Sequence, residues 1–123
     1  FSNFANQRLY KLRVDAGADT DAAPTCLTPE SDDHPSEPAA VYRFADGVID
    51  VKRNRYICVR EDHSTADGSA AKVVNAVVSV ALDGSGETKI LVQGNDFYAA
   101  PRLSPDGTKL AYVTWKHPNM PWD

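Results

Sequence analysis

The sequence predicts an all-β chain: antiparallel four-stranded propeller blades, about one and a half of them. Three observations lead there. Short runs rich in β-branched and aromatic residues are separated by turn signals at close intervals. No window of a dozen residues keeps a 3.6-residue period free of Gly or Pro. A unit of about 54 residues recurs along the chain, as a stack of like sheets requires.

The elements follow in order. Leu9, Tyr10, Leu12 and Val14 predict a strand over 7–14, and Cys26-Leu27 predicts a short one over 25–28. The Asp- and Pro-rich stretch 16–40 around that short strand predicts loops. Val41, Phe44, Val48 and Ile49, broken by Gly47, are mixed in pattern. Tyr56-Ile57-Cys58-Val59 predicts a strand, and 62–71 a polar loop. The run 73–82, with Val77, Val78 and Val80, reads as a strand, although Ala- and Val-rich runs also suit a buried helix. Ile90-Leu91-Val92 and 110–115 are the last two clear strands. Asp83-Gly84-Ser85-Gly86, Gln93-Gly94-Asn95-Asp96 and Ser104-Pro105-Asp106-Gly107 supply the turns.

The repeat appears when Arg55–Val59 is laid over Lys109–Val113. At that offset Phe44 meets Tyr98, Ala45 meets Ala99, Ile49 meets Leu103 and His63 meets His117. A shorter echo sets Leu12–Asp15 against Val80–Asp83. The expected division is the end of one blade over 1–30, a full blade with its loops over 31–96, and the start of a third over 97–123. A blade cannot cover both of its faces alone, so neighbours must stack on it. Phe1 in place of Met and the ordinary composition of Pro121-Trp122-Asp123 predict a piece of a longer chain.

Composition narrows the function. The net charge is −4 and the pI about 5.3, which speaks against a nucleic-acid surface. The one basic run, Lys52, Arg53 and Arg55, is expected to be a solvated hairpin tip. No stretch approaches the ~18 apolar residues that span a bilayer. Two cysteines, Cys26 and Cys58, and no Asn-x-Ser/Thr sequon favour free thiols in a reducing compartment, the cytoplasm or an organelle, with a single bridge between them as the alternative.

Catalytic signatures are missing. There is no Gly-x-Ser-x-Gly elbow, no phosphate-cradling glycine loop, and no zinc spacing among His34, His63, His117 and the cysteines. No cofactor or metal is expected. The turn 83–87 lacks the oxygen spacing of a calcium loop. Two clusters remain, each after the second strand of a blade: Arg60-Glu61-Asp62-His63, and 115–123, Trp-Lys-His-Pro-Asn-Met-Pro-Trp-Asp. Strand ends and their loops make propeller rims, where ligands dock. The competing reading is structural, with Arg60 and Asp123 bonding between blades and Trp115 and Trp122 packed there.

Ser104–Tyr112 is similar to the S-P-D-G-K-x-[LI]-[AV]-[YF] element of TolB-like and peptidase propellers. Tyr56–His63 and Trp115–Asp123 together resemble the acylaminoacyl-peptidase and dipeptidyl-aminopeptidase-like branch of the prolyl oligopeptidase family, over about the whole chain. The resemblance implies an N-terminal propeller that gates and filters short peptides for an α/β-hydrolase domain lying beyond Asp123. It implies no catalytic residue here, and a homo-oligomer is compatible with it. By position, Arg60, Glu61, His63, His117 and Asn119 are the candidates for the substrate-side rim. The alternative is a TolB- or kelch-like binding platform. A propeller that is itself a lyase or glycosidase would have only Glu61 and Asp123 to use.

Overall fold

The structure, a computed structural model, describes residues 1–14, 23–28, 41–64, 69 and 72–123. The loops expected over 16–40 and 62–71 fall largely outside the described residues. The strands are β1 (Tyr10–Lys11), β2 (Thr25–Cys26), β3 (Tyr42–Asp50), β4 (Arg55–Asp62), β5 (Val74–Ala81), β6 (Thr88–Gln93), β7 (Phe97–Leu103) and β8 (Leu110–Trp115). They form three antiparallel sheets: β1-β2, β3-β4-β5-β6, and β7-β8.

The first strand is shorter than its pattern. Alternation continues to Val14, but a strand also needs a partner, and β2 offers only Cys26 and Thr25 opposite Tyr10 and Lys11. Leu12 and Val14 are exposed. Leu27 continues the contact by donating its N–H to Leu9 O at 2.8 Å.

The central sheet is covered on both faces. Cys58, Ala76, Val78 and Val80 pack with Leu9 and Leu27 of the first sheet. Ile57, Val59 and Val77 pack on the other side with Tyr98, Leu103 and Leu110 of the third. Double coverage explains why 73–82 shows no polar alternation: both of its faces are interior, and the run is a strand. Each fully buried Val or Ile contributes roughly 1.5–3 kcal/mol relative to exposure.

The repeat is visible in backbone detail. β3 carries a bulge between Ala45 and Gly47, and β7 carries one between Ala99 and Arg102. Each holds a non-glycine residue in the left-handed region, Asp46 at φ 45° and Ala100 at φ 51°. Gly47 is required by space, because a Cβ there would run into the Tyr56 ring and sit 2.6 Å from Ile57 O.

The basic run is an exposed hairpin tip, as expected, and it is also tied to its neighbour. It forms a 3-10 turn, Val51–Arg53, between β3 and β4. Asp50, 2% exposed, organises it by accepting from Arg55 Nε at 2.9 Å and Arg53 Nη1 at 3.1 Å. Burial raises the Asp50 pKa, but the hydrogen bonds from Arg55 and Arg53 outweigh it and leave the carboxyl below its ordinary value. Lys52 Nζ then donates to Asp106 O at 2.6 Å, and Arg53 Nη1 to Gly107 O at 2.9 Å. The tip is thus tied to the turn of the next hairpin. In that turn the Ser104 hydroxyl, with the Thr108 N–H and hydroxyl, holds the Asp106 carboxyl down at about 2.

Candidate functional site

Two polar clusters emerge at the same end of neighbouring sheets. β3 begins, and β4 ends, where Tyr42 pairs with Asp62. β7 begins, and β8 ends, where Phe97 pairs with Trp115. The tied hairpin tips lie at the opposite end.

At the end of β4, strand alternation divides the candidates between two faces. Arg60 follows Cys58 onto the face of the first sheet. Its guanidinium lies over the Tyr42 ring, 4.5 Å from the centroid. Its Nε is buried without a hydrogen-bond partner. Glu61 follows Ile57 and Val59 onto the face of the third sheet. His63 Nε2 donates to Glu61 Oε2 at 3.0 Å, since a carboxylate can only accept. The His63 N–H closes the sheet by donating to Val41 O at 2.8 Å.

At the end of β8, aromatic planes dominate. Phe97 stacks on Trp115 at 5.3 Å and 19°, and His117 meets Phe97 edge-on at 4.8 Å and 71°. The His117 N–H donates to Asp96 Oδ2 at 2.8 Å. Beyond it run two tight turns: Asn119 N–H to Lys116 O at 2.9 Å, and Met120 N–H to Asp123 Oδ2 at 2.7 Å. His117 and Asn119 are exposed, and Trp122 is 76% exposed. Trp115 therefore stacks within its own sheet and Asp123 bonds within its own turn.

The clusters are connected by two residues that the sequence reading did not single out. Asn75, buried in β5, is the register partner of Glu61. Its Nδ2 donates to Asp96 O at 2.6 Å, and the Asp96 carboxylate receives His117. An Asn inside the apolar run 73–82 was the available signal, because a buried amide demands partners.

The arrangement offers charged, imidazole and aromatic groups for binding. Among the described residues no three His, Cys, Asp or Glu side chains gather as a metal site. The rim gives a carboxylate–imidazole pair, a guanidinium on a ring, and exposed aromatic planes. A cleft of about 230 Å³ lined by Arg53, Asn54, Arg55, Ser79, Glu87 and Lys89 lies at the opposite end of the central sheet. The Cys26 and Cys58 thiols are free. No described helix is long and apolar enough to cross a membrane.

No protein-family profile matches the sequence, and no curated protein matches it. Solved structures do. A puromycin-hydrolysing peptidase from Mycobacterium tuberculosis is 39% identical over 100% of this chain, with a TM-score of 0.77. Puromycin hydrolase is 33% identical over 99% of the chain, with a TM-score of 0.78, both alone and as a variant complexed with PGG. This chain covers 18% of the length of each. With antiparallel sheets stacked as blades, the chain is a β-propeller segment, similar along its whole length to the propeller region of these peptidases of the prolyl oligopeptidase family.

Proposed function

We propose that this segment forms part of a propeller wall that admits short peptides to a hydrolase domain elsewhere in the full-length protein and turns away longer ones. The observation that carries the reading is the match along the whole chain to puromycin-hydrolysing peptidases. In this proposal the chain divides into blades at 1–30, 31–96 and 97–123. Arg60, Glu61, His63, His117 and Asn119 form the substrate-side rim. The physical support is that both clusters sit at one end of neighbouring sheets and are joined through Asn75 and Asp96. Their chemistry suits a peptide: Glu61 and Arg60 for charged or amide groups, Phe97 and Trp115 for flat side chains.

Puromycin and peptides of graded length are the substrates to try on the full-length protein. Glu61→Gln and His117→Ala are expected to raise KM several-fold for short substrates at nearly constant kcat, the signature of lost uniform binding, and to weaken discrimination by length. Unchanged KM and unchanged length preference would remove these residues from the rim. A full-length protein without hydrolase activity would end the peptidase reading.

A further inference from the structure

Three side-chain contacts between the central and third sheets share one property. Lys52 bonds Asp106, Arg53 bonds Gly107, and Asp46 bonds Ala100, and each pair is 54 residues apart. Each residue therefore touches its own repeat mate. Sheets arranged around an axis bring equivalent positions together only close to that axis, since their separation grows with distance from it. The contacts identify β3 and β7 as the inner strands, those beside the central channel. Of the central strands, β3 makes the most extensive contact with β7.

The Asp46 contact differs in kind from the other two. Asp46 and Ala100 occupy the same bulge in successive blades, with the same left-handed backbone. The carboxylate is not part of the repeat, because its mate is an alanine. Arg102 is not part of it either, because its mate is Val48. These two departures meet. Asp46 Oδ2 accepts the Ala100 N–H at 2.5 Å, and Asp46 Oδ1 lies 3.6 Å from Arg102 Nη1. The bulge leaves the Ala100 N–H unpaired with β8, and the carboxylate of the preceding blade takes it.

We infer that Asp46 is a latch specific to this junction: it fastens the inner strand of one blade to the bulge of the next, and releasing it lets β7 part from β3 at the channel while the apolar core behind them stays closed. Of the core that these sheets share with Tyr98, Ile57 and Val59 stand on β4 and Val77 on β5, one and two strands behind β3. Asp46 and Arg102 are exposed, with side chains 42% and 61% accessible. Their ion pair is therefore the minor part, and the hydrogen bond to the Ala100 amide the major one.

Amide hydrogen exchange on the full-length protein tests this. In Asp46→Ala the Ala100 amide is expected to exchange roughly ten- to a hundredfold faster, the effect of losing one hydrogen bond to a charged group. The Ile57 and Val78 amides should hold their rates. Arg102→Gln should accelerate Ala100 only slightly, and Asp46→Asn, whose amide oxygen still accepts, should fall between. An Ala100 rate that does not change in Asp46→Ala overturns the latch. So does a rise shared equally by Ile57 and Val78, which would make Asp46 a general stabiliser. If Asp46→Ala does not fold, Asp46→Asn decides by the same readout: local acceleration at Ala100 upholds the latch, and no change removes it.

Discussion

The hairpins β3–β4 and β7–β8 are two copies of one design with opposite fates. Both carry a bulge with a left-handed residue, and both turn back at a tip held by an aspartate, Asp50 or Asp106. Their strands β4 and β8 nevertheless differ in burial. Ile57 and Cys58 are wholly buried and Val59 nearly so, at 7%. Their repeat mates Ala111, Tyr112 and Val113 are exposed, Val113 to 43%. Local pattern makes the strand, and neighbouring sheets make it a core. β4 has a sheet on each side, whereas β8 has one on a single side among the described residues.

The sharpest test of that contrast is truncation at paired positions. In the 123-residue chain, Ile57→Ala is expected to cost about 2–5 kcal/mol by denaturant unfolding. Val113→Ala should stay within about 0.5 kcal/mol, as surface changes do. Equal costs would mean that burial does not follow from stacking as argued. Repeating the Val113→Ala measurement on the full-length protein measures what a further sheet adds: a cost that grows there reports coverage of the β8 face.

The same contrast explains what could be read from the sequence. Strand positions β4 to β6 and β8 were legible because alternation and turn residues are local signals. The 54-residue offset was legible because it needs only the order of residue types. The run 73–82 was legible as a strand with a buried helix beside it as the alternative, since a segment buried on both faces loses its alternation. The work of Lys52 and Arg53 was not legible. Charge at a hairpin tip reads as solvation, and only the neighbouring blade supplies the carbonyls of Asp106 and Gly107. At the rim, Arg60, Glu61, His63 and His117 stood out by type and position. Asn75 and Asp96, which join them, are single polar residues whose partners lie 21 residues away in each case.

A middle-sized effect separates the two tips by pH. The Asp106 carboxyl sits at about 2 and the Asp50 carboxyl below its ordinary value, both lower than in an unfolded chain. Each contributes stability that is fully present above the unfolded value and is lost as pH falls through the folded one. For Asp106 the loss runs from about pH 4 down to about 2. Asp106→Asn should flatten the acid limb of the melting curve in that window. Asp50→Asn should flatten it too and lower the melting temperature further at neutral pH, because it also takes the shared counter-charge from Arg53 and Arg55. Melts from pH 2 to 7 that are parallel in all three proteins would remove the carboxylates as the source of the acid limb.

The smallest effect concerns the two thiols and leaves the fold intact. Cys58 lies in the core between the first and central sheets, and burial pushes its pKa up to about 12. Only the thiolate attacks an alkylating reagent, so at pH 8 Cys58 is both inaccessible and protonated. Cys26 lies at the edge of the two-stranded sheet, partly exposed, its Sγ donating to Thr28 O at 3.2 Å. Alkylation of the native chain should modify Cys26 alone, and Cys58 should react only as the sheets separate. Its labelling rate then reports the opening of the stack, and labelling of Cys58 as fast as Cys26 would show that the first sheet does not stay seated on the central one.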